Sequence, residues 1–313
     1  MGAGHRHDAT RAFAWVTLIN LAYTALEAGY GFATNSLALL SDALHNFGDV
    51  LGLGLAWGAA VIARRPPSGR HTYGWRRATL LSPLANALLL VAFSGALGWE
   101  ALRRFNAPPA VPGLPVMVVA AIGIAVNLGA AWLVRDGHAH DLNRRGAFLH
   151  LVADAAVSLA AVLAGAGMWW LGWTWLDPAT ALLVAVVVAV GSFGLLRDAF
   201  NAAMDAVPRG IDQDQVRDWL LQQPGVSDLH HLHIWSLGAG EIAMTAHLVR
   251  PADDDNDAFI DRLNHGLDER FGINHPTVQI ERGTGGEHDC NDRAPHGHAH
   301  PHAHAGGDQS GHP

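Results

Sequence analysis

The chain contains no lysine, one cysteine and little charge of either sign, with 15% of its 313 residues Asp, Glu, Lys or Arg. A single thiol, Cys290, excludes an internal disulfide framework, so nothing in the fold calls for an oxidising compartment. With a net charge of −8 and every strong cation an arginine, no basic face is large enough to track phosphates, which excludes a nucleic-acid partner. The low charge also excludes an ordinary soluble protein, because half of the residues are apolar and the mean hydropathy is positive. The N-terminal residues lack the small-residue cleavage pattern of a secretory signal, and an uncleaved first span is expected. No H-E-x-x-H arrangement occurs, so the metal and general base of an intramembrane metalloprotease are missing. The abundant residue is histidine, with twenty copies, and imidazole in a chain almost free of thiols suits a borderline metal such as zinc.

A bilayer-crossing helix needs roughly 20 largely apolar residues. Six segments qualify, at about 12–33, 37–63, 78–102, 112–134, 146–171 and 177–197. Trp169, Trp170, Trp173 and Trp175, in the corner between the last two, suit a headgroup belt. Arg64, Arg65, Arg70, Arg76 and Arg77 fall between spans two and three, and Arg135, Arg144 and Arg145 between spans four and five. By the positive-inside rule both termini are cytoplasmic, although Arg103 and Arg104 run against it. A lysine-free, alanine-rich composition adds the expectation of a bacterial inner membrane.

Beyond Arg197 the pattern turns soluble, with helical periodicity at 212–222 and 257–271 and strand-like runs at 226–235, 241–249 and 277–281. The expected fold class is a polytopic α-helical membrane protein, six transmembrane helices followed by a small cytoplasmic α+β domain of order αββαβ. The expected boundaries are a tail at 1–11, the membrane domain at 12–199, the cytoplasmic domain at 200–283 and a disordered His-rich tail at 284–313.

His45 and Asp49 stand four residues apart in span two, so on a helix they share one face. Span five repeats the spacing with His150 and Asp154. Two helices that each offer one imidazole and one carboxylate can converge on a tetrahedral zinc ion. Ionisable groups in spans are costly and mark functional pathways, and packing hardly explains two identical pairs. Asp42 lies near the same face, and is either an acceptor that orients the imidazole of His45 or a helix-start residue. Asn20, Glu27 and Asn86 are intramembrane polar groups expected to line the pathway or bond between helices.

The runs EAGYGFATNSLALLSDALHNFGDVLGL, HTYGWRRA, DLNRRGAFLHLVADAAVS, LDPATALLV and LHHLHIWSLGAGEIAMTAHLV resemble the cation diffusion facilitator family, and the resemblance covers nearly all of residues 11–283. It implies a homodimer in the lipid bilayer with a metallochaperone-like cytoplasmic domain. It also implies exchange of divalent metal for protons at His45, Asp49, His150 and Asp154. Members with two His and two Asp at that site favour zinc, sometimes with cobalt, and cadmium or nickel remain alternatives. Protons and zinc compete for the same imidazole lone pairs, so a proton gradient can drive the exchange. His230, His247 and Glu281 match positions that bind regulatory metal in the family, with His265 a further candidate.

Strand alternation places His231 and His233 on one face of the first strand and His230 on the other. His71 stands alone in its loop, which favours a surface or packing role over a metal site. Flexible His-x-His runs at His138 and His140, and at His296, His298, His300, His302 and His304, are suited to gathering zinc weakly, as are His5 and His7. A membrane-anchored zinc sensor or buffer is the rival reading, and it leaves His45 and His150 without a purpose.

Overall fold

The computed structural model describes the backbone of residues 4–134, 142–251 and 256–283, with side chains for 18–133, 145–251 and 256–283. Six helices come first: α1 (Gly4–Thr34), α2 (Leu37–Ala63), α3 (Ala78–Phe105), α4 (Gly113–Val134), α5 (Leu142–Leu171) and α6 (Leu176–Ala203). They belong to one compact unit. Five of them, α2 to α6, are long and apolar enough to cross a bilayer, and α1, 31 residues long, packs along α2 and α4 as the sixth.

Exposure is the reverse of a soluble protein's. Phe32 is 76% exposed, Trp57 74% and Trp170 70%, while Glu27, Asp42 and Asp177 are each 1% exposed or less. Apolar side chains turned outward and carboxylates turned inward are what a hydrocarbon solvent selects. Tyr23, Leu39, Val116, Val119 and Ala161 join α1, α2, α4 and α5 in one packed cluster. Leu37, Ala101 and Ala181 pack α3 and α6 against α2.

The turn between α1 and α2 engages Arg104, one of the two arginines that run against the expected orientation. Asn35 adopts a left-handed backbone with φ of 54°, and Ser36 caps α2 by accepting from the Leu39 amide. Arg104 of α3 donates to the Asn35 carbonyl at 2.8 Å and to its side-chain oxygen at 3.0 Å. Its charge is held by the turn and by Glu100 at 3.1 Å. A structural bond therefore gives an arginine a role at this position.

Helices α4 and α5 approach closely at two glycines. A Cβ on Gly165 would lie 2.6 Å from the Met117 amide nitrogen and 2.9 Å from the Gly113 carbonyl oxygen, both backbone atoms that cannot swing aside. Small residues of this kind let membrane helices pack backbone to backbone. Gly165→Ala is expected to destabilise the membrane unit by about 1–3 kcal/mol, the usual cost of overpacking. Thermal unfolding in detergent measures it, with Gly129→Ala as the control, because a Cβ there meets nothing within 4 Å. Equal melting temperatures for the two variants would contradict the close-packing account.

A second unit holds α7 (Gln213–Leu221), α8 (Asn256–Phe271), β3 (His275–Glu281) and most of β1 (Asp228–Gly238) and β2 (Glu241–Val249). Asp212 caps α7 by accepting from the Asp214 and Gln215 amides. The sheet order is β1-β2-β3, and β2 runs parallel to β3 with His247 opposite Gln279 and Val249 opposite Glu281. That parallel pairing needs a crossover, which α8 supplies. Leu220, Leu232, Met244, Leu248, Leu263 and Leu267 form the core of this unit. Six helices and then an αββαβ order is the fold class expected from the sequence.

Candidate metal centre

Helix α2 presents His45 and Asp49, α5 presents His150 and Asp154, and the two pairs interlock crosswise. His45 Nε2 lies 3.2 Å from Asp154 Oδ1, and His150 Nε2 lies 3.1 Å from Asp49 Oδ2. Asp154 Oδ2 is also 3.6 Å from His150 Nε2, so this carboxylate touches both imidazoles. Ligand atoms of His45, Asp49 and Asp154 all fall within 4.8 Å of one another, and the two rings stand edge to face with centroids 6.0 Å apart. A tetrahedral ion with bonds of about 2.1 Å holds its donors about 3.4 Å apart, so His45, Asp49 and Asp154 are close to a ligating arrangement. His150 lies outside that group and would have to draw nearer His45 to complete it. Side-chain exposure rises from 5% at Asp154 and 18% at His45 to 35% at Asp49 and 48% at His150, which gives the site one closed and one open side.

Around this centre lies a buried polar layer, of which the sequence showed only part. Glu27 accepts from Tyr23 Oη at 2.8 Å and from Asn46 Nδ2 at 3.3 Å, which ties α1 to the residue next to His45. Asp42 accepts from Ser158 Oγ at 2.9 Å, which joins α2 to α5 one turn from Asp154. Among the described residues, His45 Nδ1 has no hydrogen-bond partner, so Asp42 meets Ser158 rather than the imidazole. Asn86 of α3 packs against Gly52 of α2, where an added Cβ would lie 2.8 Å from its Nδ2. Asn20 borders a hollow beside Val126 and Ala130 of α4. Tyr23, Asn46 and Ser158 carried no signal by themselves, although Ser158 lies one helical turn beyond Asp154.

The second unit holds another cluster. His247 Nδ1 lies 2.9 Å from Glu281 Oε1, and His230 Nε2 lies 3.4 Å from Glu281 Oε2. These three groups bring ligand atoms within 4.8 Å of one another. Burial alone would raise the carboxyl of Glu281, but the His247 hydrogen bond and the nearby imidazoles hold it below its ordinary range. The charged form is therefore favoured in the fold. That contribution to stability is present above the unfolded carboxylate value of about 4.3 and is lost as pH falls through the lower folded value. His265 lies elsewhere, on α8, paired with Glu269 at 3.2 Å. His71 stacks on Trp75 with centroids 4.2 Å apart. His138, His140, His296, His298, His300, His302 and His304 lie outside the described residues, as do the side chains of His5 and His7.

One expectation fails in β1. His231 has φ of 52°, a left-handed conformation rare for a residue with a Cβ, and strict alternation breaks there. Leu229 and Leu232 both face the core although they are three residues apart, with Ile234 next. His230 and His231 consequently share a side, and their ring centroids lie 5.2 Å apart. The L-x-x-L-x-I spacing of buried residues was the available signal.

Two family models match the chain: the cation efflux transmembrane domain over residues 14–202, and the cation efflux protein cytoplasmic domain over residues 208–283. The chain is 34% identical over 287 residues to the zinc transporter ZitB of Shigella flexneri, covering 91% of each. It is 32% identical over 289 residues to the cadmium, cobalt and zinc/H(+)-K(+) antiporter of Bacillus velezensis, covering 90% of this chain and 92% of that one. Among solved structures, the metal-bound C-terminal domain of the CzcD transporter from Cupriavidus metallidurans is 33% identical. That likeness covers 23% of this chain and 99% of that one, with a TM-score of 0.22.

Proposed function

The chain belongs to the cation efflux family, the cation diffusion facilitators, and we propose that it exports Zn2+ from the cytoplasm in exchange for protons. It is a multi-pass membrane transporter and not an enzyme. In this reading His45, Asp49, His150 and Asp154 bind the ion in transit, in a homodimer that sits in a bacterial inner membrane with both termini cytoplasmic. The observation that carries it is the crosswise pairing of each imidazole with the carboxylate of the other helix. Metal can bind only when the imidazoles are neutral and the carboxylates ionised, so binding releases protons and protonation expels metal.

The gradient of exposure supports the direction of entry. With cytoplasmic termini, α2 runs inward and α5 outward, so Asp49 and His150 lie one turn nearer the cytoplasm than His45 and Asp154. They are also the more exposed pair. Ion entering from the cytoplasm meets them first.

Two imidazoles and two carboxylates without sulfur suit zinc and cobalt. Selectivity extending to cobalt, cadmium or nickel is the second reading, favoured by the likeness to an antiporter named for cadmium, cobalt and zinc. His230, His247 and Glu281 serve as a regulatory cytoplasmic site that senses zinc. The test is flux in proteoliposomes under an imposed pH gradient, with metal and internal pH followed together. Zinc movement accompanied by opposed proton movement is the expected result, and zinc movement without it overturns the exchange.

A further inference from the structure

We propose that His231 is the fourth ligand of the cytoplasmic metal site, which makes that site a closed set of three imidazoles and one carboxylate for a tetrahedral divalent cation. This rests on the reading of His230, His247 and Glu281 as a metal site and goes beyond it.

Two independent observations place His231 there. The first is the backbone. A residue with a Cβ in the left-handed region is strained, and such strain gathers at functional sites. At His231 the left-handed φ of 52° turns the side chain off its alternating course and onto the side of His230. The second is the spacing of the rings. When imidazoles bind one tetrahedral ion through bonds of about 2.0–2.1 Å, their centroids lie about 5.2 Å apart. The three separations are 5.2 Å for His230 to His231, 5.2 Å for His230 to His247 and 5.0 Å for His231 to His247. His231 and His233, by contrast, stand 6.4 Å apart. The triangle of ligand atoms already includes His230, His247 and Glu281. The ligand atoms of His231 are not yet in that group, so ligation requires its ring to turn about its side-chain torsions toward the remaining corner.

The chemistry that follows differs from that of the transport site. A four-ligand structural site has no open position, so it retains its ion, whereas a site that passes its cargo on must release it. A closed site on β1, β2 and β3 would fix the sheet in one arrangement when cytoplasmic zinc is plentiful, which is a sensing role.

The experiment uses the full chain carrying Asp49→Ala and Asp154→Ala, so that the intramembrane site is silent, loaded with Co2+ against a competing chelator that strips weak histidine runs. Intense visible bands of four-coordinate cobalt are expected. His231→Asn keeps a residue that tolerates the left-handed backbone. It should weaken binding at least about tenfold, the lower end of what losing even an outer partner of a metal site costs, and should alter the bands. His233→Asn should change neither. His247→Ala should abolish binding. Unchanged bands and affinity in His231→Asn, together with loss in His247→Ala, would overturn the fourth ligand and leave the three-residue site standing. Retention in His247→Ala would overturn both. A melting curve of His231→Asn matching that of its parent separates lost ligation from lost folding.

Discussion

Asp154→Asn is expected to abolish zinc transport while leaving the protein inserted and folded. The substitution preserves shape but removes the charge and turns one of the two accepting oxygens into a donor, and a neutral amide is a poor ligand for a dication. Asp154 is the group that reaches both imidazoles, at 3.2 Å and 3.6 Å, and it is 4% exposed, so water cannot replace it. Loss of an outer-shell partner alone costs 10–100-fold at a metal site, so loss of a direct ligand should lower flux about 100-fold or more. Asp49→Asn should be almost as severe. Asp49 pairs with His150 and is half-exposed, so a water molecule can take part of its place. Zinc flux in proteoliposomes, read beside melting temperature, gives the ranking. Substantial flux in both variants would show that these carboxylates do not hold the ion.

Asp177→Ala should have the largest effect on stability. Asp177 opens α6 and is fully buried, and it accepts from Ser36 Oγ at 2.5 Å, the Leu37 amide at 2.9 Å and the Ala38 amide at 3.2 Å. It caps the start of α2 from another helix, in the low-dielectric surroundings where such bonds are strongest. Removing it strands three donors, and bonds to a charged acceptor contribute about 1.5–3 kcal/mol each. Membrane hydrogen bonds measure nearer 0.6 kcal/mol on average. A loss of about 2–4 kcal/mol lies between the two scales. Ser36→Ala removes one of the three and should cost about 1 kcal/mol, as cap losses do. Denaturation of the purified protein measures both. A smaller loss for Asp177→Ala than for Ser36→Ala would refute the shared cap. Because α2 carries His45 and Asp49, loosening its start should also impair transport if those residues hold the ion in transit as proposed.

Local physics makes much of this molecule legible in its sequence. Apolar runs of bilayer length mark spans whatever surrounds them, because every backbone group in hydrocarbon must be bonded within its own helix. The spacing of four residues places His45 with Asp49, and His150 with Asp154, on one helix face by geometry alone. The small domain's order follows from periodicity and turn residues, and β3 begins only two residues from its expected start.

The rest depends on which faces meet. The bonds from His45 to Asp154 and from His150 to Asp49 join residues 109 and 101 positions apart, and no local pattern selects the crosswise pairing over each histidine bonding its own helix partner. Asp42 and Glu27 are similar. Their positions in apolar spans mark them as costly carboxylates, but only packing gives Asp42 to Ser158 and Glu27 to Tyr23 and Asn46. Asp177 reads as part of a family motif and becomes a cap only when α6 comes beside the start of α2. His231 needs a backbone dihedral that strand propensity does not carry, and one left-handed residue moves it to the other side of its strand. The spans, the order of elements and the pairing of one imidazole with one carboxylate on each helix face are thus written in the chain, since they follow from spacing along it. Which carboxylate serves which imidazole is a matter of tertiary packing, since it follows from contacts between segments a hundred residues apart.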